Sequence, residues 1–342
     1  YDTTLSAELD KSAAPTLFQC GNQGAINSYG EYCYPLDGTA IMDQMTTDAF
    51  NLKGENGETL SIGYCYEAFG IIVNKALLEK AGHSIDEITN FDSLKAVADD
   101  IHARAAELGF DAFSSAGLDG SSSWRFSGHL ANMPLFYEFR DDGVTEAPAE
   151  ITGAYLDNFK NIWDLYITDS AADPTTLSTS TGDESKAQFI EGKAAFYQNG
   201  TWQYAGLIEA GMTDDQLGML PIYIGVDGEE NQGLCSGGEN YWCVSSQASE
   251  DAQKATEDFM YWCVTSDTAT SIIADKMGLT APFKSAKETT NVFSQQAVAM
   301  AKDGKKTVAW DFVYIPSEEW KKNLKQALIA YAADNTKWDG VK

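Results

Sequence analysis

Positive charge is scarce in this sequence, and so are long apolar runs. Only 23 of the 342 residues are Lys or Arg, against 51 Asp or Glu, and the formal net charge is −28. Such a chain is repelled by nucleic-acid phosphates and by anionic lipid surfaces, so we expect no nucleic acid among its partners. No stretch approaches the roughly 20 apolar residues that a membrane-spanning helix needs.

Histidine and cysteine are few, and neither is arranged as metal ligands usually are. The three histidines lie far apart at His83, His102 and His129, and no two cysteines have the C-x-x-C spacing of zinc or redox sites. The sequence therefore predicts no metal site and no other cofactor. Six cysteines are too few for a dense disulfide scaffold in so long a chain. Most are expected to be buried thiols, and one or two disulfides among them are the alternative.

Motifs of the common catalytic sites are absent as well. Gly192-Lys193 resembles part of a phosphate-binding loop, but Ala194 stands where that loop requires Ser or Thr. There is no G-x-S-x-G nucleophile elbow, and three scattered histidines give a Ser-His-Asp triad little to build from. No catalytic residue is predicted. Glycoside hydrolysis needs only two carboxylates, and 51 acidic residues leave that alternative open.

Helical patterns alternate with short strand-like runs along the chain, which predicts an α/β fold. The length suggests two domains of roughly 150 residues each. No linker-like stretch is long enough to separate them cleanly, so we expect the chain to cross between them more than once. Helices are predicted over 90–109, over 249–264 and after the cap Ser317, and strands over 64–73, 194–197, 217–224 and 241–244.

The segment from Phe189 to Gln203 is the most informative for function. Glu191-Gly192 predicts the end of a helix, Asn199-Gly200 a turn after a short strand, and Thr201 the cap of the next helix. Trp202 would then lie at the carboxyl end of a strand, where open α/β sheets hold their ligands. Burial in a core is the alternative interpretation for any tryptophan.

Two other segments, 117–126 and 237–242, place aromatic rings beside polar groups in predicted loops. Flat rings pack against the CH faces of sugars, and planar polar groups bind sugar hydroxyls. The combination is typical of a carbohydrate site. The candidate ligand-binding residues in these segments are Asp119, Trp124, Arg125, Glu239 and Asn240.

Other tryptophans receive different assignments. Trp242 alternates with Tyr241 along a predicted strand, so only one of the two can face a ligand. Trp163 and Trp262 are predicted to lie in the core, and Trp262 shares a helix face with Phe259 in the 249–264 pattern.

Six short motifs follow one another in the order found in a known family. They are APTLF at 14–18, YPLD at 34–37, YEAFGIIVNKALL at 66–78, NFDSL at 90–94, FIEGKAAFYQNGTW at 189–202 and GGENYWCVS at 237–245. Together they resemble the carbohydrate receptors of ABC importers, the class that includes maltodextrin- and multiple-sugar-binding proteins. The likeness extends over nearly the whole chain.

This resemblance implies a two-lobed, periplasmic-binding-protein-like α/β fold with a ligand cleft between the lobes and hinge crossings near 67–70, 233–236 and 282–284. The amino-terminal lobe would comprise 1–67 plus 235–282, and the carboxyl-terminal lobe 70–233 plus 284–342. Family members begin with further strands, so the natural polypeptide is expected to start earlier, with a signal peptide and a lipid-anchoring cysteine.

The resemblance also assigns roles to individual residues. It implies polar sugar contacts at Asn22 and Gln23, a hinge acid at Glu67, and an aromatic-bearing loop near Trp124. It implies a stacking aromatic at Trp202. For Trp320 it implies another, although this ring shares a helix face with Leu324 and Leu328 and core packing is the alternative.

The first hypothesis for function is therefore a monomeric bacterial receptor, lipid-anchored at the cell surface or periplasmic. It would bind an oligosaccharide reversibly, without chemistry or cofactor, and hand it to the permease subunits of an ABC importer. The second is the same fold serving a polyamine, a peptide or ferric iron. The third is a glycoside hydrolase.

Overall fold

The computed structural model describes residues 2–11, 13–144, 148 and 150–342, and these form two compact units. Unit 1 comprises Tyr1–Glu67 and Gly237–Ser294, and unit 2 comprises Ala68–Ser236 and Gln295–Lys342. Tyr1, where the predicted amino-terminal lobe begins, lies outside the described residues. The chain therefore passes from one unit to the other three times.

The third passage falls after Ser294, later in the chain than the predicted crossing near 282–284. Backbone hydrogen bonds hold this stretch in unit 1. The amide of Thr46 donates to the carbonyl of Pro282 at 2.9 Å, and the amide of Lys284 donates to that of Gln44 at 2.8 Å. These hydrogen bonds between distant segments keep residues 282–284 in unit 1, so the chain passes to unit 2 only after Ser294.

Helices and strands alternate through most of the chain, which confirms the α/β prediction. The helices are α1 Asp2–Leu9, α2 Gln23–Tyr29, α3 Lys75–Ala81, α4 Phe91–Ala103, α5 Ala105–Leu108, α6 Asn132–Asp142, α7 Leu156–Thr168, α8 Gly182–Ile190, α9 Tyr204–Glu209, α10 Glu250–Thr265, α11 Asp267–Ser271, α12 Val292–Lys302 and α13 Glu318–Ala333. The strands are β1 Leu17–Cys20, β2 Asn51–Lys53, β3 Thr59–Gly63, β4 Glu67–Asn74, β5 Asp111–Phe113, β6 Ala194–Gly200, β7 Leu217–Leu220, β8 Gln232–Gly237, β9 Tyr241–Val244 and β10 Lys306–Val308.

Unit 1 is built on an antiparallel sheet in the order β1-β9-β3-β2. Alternate residues of β9 enter different core clusters, because successive side chains of a strand point to opposite faces. Tyr241 and Cys243 pack with Ile26 of α2, whereas Val244 packs with Met260 of α10. Both faces of this sheet are therefore covered.

Unit 2 is built on a mixed sheet in the order β10-β8-β4-β6-β5, with β7 also paired to β4. The β4 pairings with β6 and β7 are antiparallel, whereas β5–β6 and β10–β8 are parallel. Strand β4 is buried along almost its whole length, with Phe69, Ile71 and Val73 all inaccessible to solvent. Burial on both faces explains the continuous apolar run in its sequence.

Two of the predicted helices form where the sequence places their ends. Asn90 caps α4 through a capping box with Ser93, and Gly109 ends α5 in the left-handed conformation at φ 82°. The predicted 90–109 helix is thus confirmed, with a break at Arg104. Ser317 caps α13, as predicted.

Helix α10 also forms as predicted, but it turns a different face to the core. Trp262 is 46% exposed and Phe259 51%, so the prediction that Trp262 is buried is wrong. The buried face carries Gln253, whose side-chain amide donates to the carbonyl of Ser245 at 3.1 Å, together with Met260. A hydrogen-bonded polar residue thus lies on the buried face of the helix, and Phe259 and Trp262 lie on the exposed face. Trp163 is fully buried, as predicted.

Candidate functional site

Trp202 lies where the sequence predicts it, at the end of a strand and the start of a helix. Strand β6 continues through Gly200 because Asn199 and Gly200 pair with Gly70 and Phe69 of β4, so the predicted Asn199-Gly200 turn does not form. A 3-10 turn, Thr201–Gln203, then leads into α9. The predicted Thr201 cap is also wrong, because its hydroxyl accepts a hydrogen bond from the amide of Ala68 at 3.3 Å.

Trp202 belongs to a cluster of three rings, with Trp124 and His129, that we call the aromatic platform. The ring centroids of Trp124 and Trp202 are 6.0 Å apart at an interplanar angle of 51°. His129 makes edge contacts with Trp124 at 5.0 Å and with Trp202 at 5.6 Å. Trp124 is 39% exposed and Trp202 half-buried, so both indoles present surface to solvent. Edge contacts of this kind stabilise by about 0.5 to 1.5 kcal/mol each.

Buried rings of unit 2 support the platform from below. Phe69 of β4 stacks on the imidazole of His129 at 4.1 Å with an interplanar angle of 4°. Phe312 and Trp310 contact the same imidazole at 5.1 and 6.0 Å. The platform therefore rests on a central strand of the sheet, which restricts its movement.

His129 is the part of the platform that sequence reasoning missed. It lies in a π-helical turn, Arg125–Leu130, and its Nδ1 has no hydrogen-bond partner among the described residues. Burial, aided by the positive charges of Lys321 and Arg125, lowers the pKa of His129 to about 3. The imidazole is therefore neutral at physiological pH. No local pattern in the sequence marks His129, because the π-helical turn that brings it beside Trp124 is visible only in the structure; such turns are rare and are frequently found at functional sites.

Gly200 makes room for the indole of Trp202. A Cβ atom built at Gly200 would lie 2.2 Å from the far edge of that indole. The backbone of Gly200 is extended, with φ −124° and ψ −179°, so the conformation itself suits any residue. Close approach of the ring is what requires glycine here.

Hydrogen bonds orient the indole of Trp124. Its Nε1 donates to the carbonyl of Ser121 at 2.9 Å, and the carboxylate of Asp119 accepts from the amide and hydroxyl of Ser121 at 2.9 and 2.7 Å. Asp119, predicted as a ligand contact, is thus engaged in shaping the loop that carries Trp124.

Arg125 has a different role from the predicted one. It is only 1% exposed, and its guanidinium donates to the carbonyls of Ser115 and Gln198 at 3.1 and 3.2 Å and to the hydroxyls of Ser122 and Ser185 at 2.7 and 2.9 Å. Burial lowers the pKa of Arg125. Because its donors are directed at protein groups, Arg125 braces the loop instead of meeting a ligand.

A second candidate group lies in unit 1. Asn240 donates to the carboxylate of Glu67 at 2.9 Å and accepts from the side-chain amide of Gln19 at 2.8 Å. Burial raises the pKa of Glu67, and the hydrogen bond from Asn240 partly opposes that rise. Trp242 stacks on Tyr64 at 4.5 Å, while Tyr241 is buried, consistent with the predicted alternation. Gln19 and Tyr64 were not predicted.

The other predicted residues are held by local structure. Asn22 caps α2 by accepting from the amide of Ala25 at 3.0 Å, and the exposed Gln23 exchanges two hydrogen bonds with the backbone of Lys53. Glu239 is half-buried, and its carbonyl accepts from the side chain of Gln19 at 3.4 Å. Trp320 lies in the first turn of α13 and packs against the core of unit 2.

Comparison with known proteins assigns the chain to a family. The model of a bacterial extracellular solute-binding protein family matches residues 1–304. The chain belongs to this family. Its family is thus one of binding proteins that act outside the cell, which confirms the resemblance found in the sequence. No curated protein matched the chain.

Solved structures share the fold of this solute-binding protein. RafE of Streptococcus pneumoniae, in complex with raffinose, has 14% identity and a TM-score of 0.76, and the match covers 99% of this chain and 86% of RafE. A Bacillus licheniformis sugar transporter in complex with stachyose has 18% identity and a TM-score of 0.71, covering 100% and 87%. The GacH receptor of Streptomyces glaucescens, solved also with acarbose, has 18% identity and a TM-score of 0.68, covering 100% and 84%.

Two groups of side chains define what the solute-binding protein offers a ligand: the aromatic platform in unit 2, and a unit 1 group formed by Gln19, Glu67 and Asn240. The platform offers apolar ring surface, and its buried imidazole is neutral at physiological pH because its pKa is about 3. The unit 1 group offers amide and carboxylate atoms that form hydrogen bonds.

Within the part of the chain that the structure describes, no helix is both long and apolar enough to cross a membrane.

Proposed function

We propose that this solute-binding protein is the receptor of an ABC importer, and that it binds an oligosaccharide reversibly and delivers it to the permease subunits in the membrane. It acts as a monomer and catalyses no reaction, and it is either anchored at the cell surface by a lipid or located in the periplasm. The observation that carries the proposal is the pair of solvent-facing indoles, Trp124 and Trp202, 6.0 Å apart on a buried support.

Sugar rings are recognised by this kind of surface. The CH face of a pyranose packs on an indole, and two adjacent indoles suit a ligand with more than one ring. RafE, the Bacillus licheniformis transporter and GacH were solved with raffinose, stachyose and acarbose, each of which has several sugar-like rings. These bound sugars support an oligosaccharide as the solute here.

We assign the binding of the sugar hydroxyls to polar side chains. The carboxylate of Glu67 accepts one hydrogen bond from Asn240 and keeps further acceptor positions for sugar hydroxyls. Contacts from Asn22 and Gln23 and stacking on Trp320 remain predictions of the family resemblance, as does a ligand position between two lobes. A contact from Glu239 remains a prediction from the composition of segment 237–242.

A thermal-shift screen tests the solute class. The purified chain is heated with α- and β-linked gluco-, galacto-, manno- and xylo-oligosaccharides, and with polyamines and peptides as competing classes. A true ligand at about 100 times its Kd adds roughly 2.7 kcal/mol to the free energy of unfolding. A shift with polyamines or peptides alone would overturn the sugar assignment.

Titration calorimetry with the best glycan tests the platform. We expect Trp202→Ala to weaken binding about tenfold or more, since stacking on one aromatic is worth roughly 1 to 3 kcal/mol in nucleic-acid systems. The matched control is Trp262→Ala in α10, which removes a more exposed indole from unit 1. Unchanged binding in Trp202→Ala would place the site elsewhere.

Two further measurements separate a receptor from an enzyme and test delivery. Prolonged incubation with the bound glycan, followed by product analysis, should leave every glycosidic bond intact. Stimulation of ATP hydrolysis by the reconstituted importer should depend on the loaded receptor. Cleaved products would support the hydrolase alternative.

A further inference from the structure

Three cysteines of unit 1 come together although they are far apart in the sequence. The Sγ atoms of Cys20, Cys33 and Cys243 all lie within 4.8 Å of one another, and all three residues are buried. Cys20 ends β1, Cys243 lies in β9, and Cys33 follows the 3-10 turn after α2. No spacing in the sequence indicates this group, because each cysteine comes from a different element.

Sheet register explains how the cysteines meet. Strand β1 pairs with β9 so that Phe18 lies opposite Cys243, which makes Cys20 a diagonal neighbour of Cys243 on the same face. Cys33 forms a backbone bridge with Ser245, two residues beyond Cys243. Both cysteines therefore flank Cys243 on the face of the sheet that α2 covers.

A polar atom lies beside the group. The thiol of Cys243 donates to the hydroxyl of Ser61 at 3.1 Å, and that hydroxyl donates to the carbonyl of Trp242 at 3.1 Å. Cys65 and Cys235, which are also buried, lie outside this group. Thiols that lose their protons become the thiolates that zinc prefers as ligands.

We propose that Cys20, Cys33 and Cys243 form a binding site for one thiophilic divalent cation of the zinc class, with Ser61 beside the fourth coordination position. Zinc–sulfur bonds of about 2.3 Å in tetrahedral geometry set the sulfur atoms about 3.8 Å apart. The observed sulfurs, within 4.8 Å of one another, reach that spacing by closing about 1 Å or less. All three cysteines are free thiols, whereas a disulfide would use only two of the three sulfurs.

Cadmium titration of the full chain tests the site, because Cd²⁺ binds thiolates like Zn²⁺ and gives an ultraviolet charge-transfer band. The protein is purified with a reductant and a chelator, which are then removed. We expect one equivalent of Cd²⁺ to saturate the band and to raise the Tm, with an affinity that increases with pH because the thiols must lose protons. Zn²⁺ should displace Cd²⁺ competitively.

Paired variants assign the ligands. Cys243→Ala should abolish the band, whereas Cys235→Ala, which removes an equally buried thiol from unit 2, should leave one equivalent bound. If Cys243→Ala does not fold, X-ray absorption of the zinc-loaded wild-type protein should still count three sulfur ligands. Fewer than three sulfurs, a band that persists in Cys243→Ala, or a native disulfide within the group would overturn the proposal.

Discussion

Two aromatic pairs at the surface of this protein, Trp124 with Trp202 and Phe259 with Trp262, differ in how the fold holds them. Trp124 and Trp202 lie 6.0 Å apart on separate segments of unit 2, whereas Phe259 and Trp262 lie 6.2 Å apart on the single helix α10. The second pair is the more exposed. Exposure therefore does not distinguish a candidate site from an ordinary helix surface.

Support is what differs between the pairs. The indole of Trp124 is fixed by its hydrogen bond to Ser121, and both indoles contact His129, which is stacked on Phe69. Phe259 and Trp262 are held by their helix and stack on each other at an interplanar angle of 20°. Pre-organised rings lose less entropy when a ligand binds, so they contribute more to affinity.

Removing both rings of a pair should give the largest difference in glycan affinity between the two pairs. Trp124→Ala/Trp202→Ala removes two stacked surfaces at roughly 1 to 3 kcal/mol each, so we expect glycan affinity to fall at least about 30-fold. Phe259→Ala/Trp262→Ala should leave the Kd unchanged within error. Calorimetric titration of both variants gives the comparison, and equal losses would remove the distinction between the pairs.

Loss of the buried support should lower stability far more than loss of an exposed ring. Phe69→Ala opens a cavity beneath His129, and we expect the free energy of unfolding to fall by about 3 to 5 kcal/mol. Phe259→Ala should change it by about 0.5 kcal/mol or less. Urea denaturation followed by circular dichroism measures both values. A small loss in Phe69→Ala would mean that the platform is not supported by β4.

The buried imidazole should make stability depend on pH. The pKa of His129 is lowered to about 3 in the folded protein, so between about pH 6.5 and 3 only the unfolded chain takes up this proton. Stability is then fully present above about pH 6.5 and falls by up to about 1.4 kcal/mol per pH unit below it. His129→Phe should flatten this decline in denaturation curves recorded across that range.

His102 provides the control with the opposite sign. Its hydrogen bond to Asp111 raises its pKa, so its contribution to stability is present at low pH and is lost as the pH rises. His102→Gln should therefore steepen the acid decline slightly. Equal curves for His129→Phe and wild type would contradict the neutral, buried imidazole.

A single methyl group should displace the indole of Trp202 without removing it. Gly200→Ala places Cβ 2.2 Å from the ring in a backbone conformation that alanine accepts, so the ring must turn. We expect glycan affinity to fall about threefold to tenfold, measured by titration. Gly120→Ala, where no atom lies within 4 Å of the new Cβ, is the matched control in the same unit.

Local signals predicted much of the fold and the place of one candidate site residue. Asn90 and Ser317 cap their helices because a side-chain oxygen meets amides only two or three residues away. Trp202 was placed from a helix end, a short strand and a helix start within fifteen residues. The order of six motifs then indicated the family that the comparisons confirm.

Errors arose where a distant partner decides the outcome. The Asn199-Gly200 dipeptide favours a turn, yet pairing with β4 keeps it in a strand. Trp262 fits an apolar helix face, yet α10 buries the face that carries Gln253 and Met260, where Gln253 donates a hydrogen bond to Ser245. Arg125 is of a residue type that often binds sugar hydroxyls, yet its guanidinium donates hydrogen bonds to four other residues of the protein.

The sequence by itself determined the α/β class, the helix ends, the family and the strand end that carries Trp202, because capping, periodicity and motif order act within a few residues. Tertiary structure alone decided which rings are supported, which helix face is buried and which cysteines meet. His129 stacks on Phe69, which lies 60 positions earlier in the sequence, and Cys243 lies beside Cys20 although 223 positions separate them. Such contacts depend on strand register and packing, which no local pattern records.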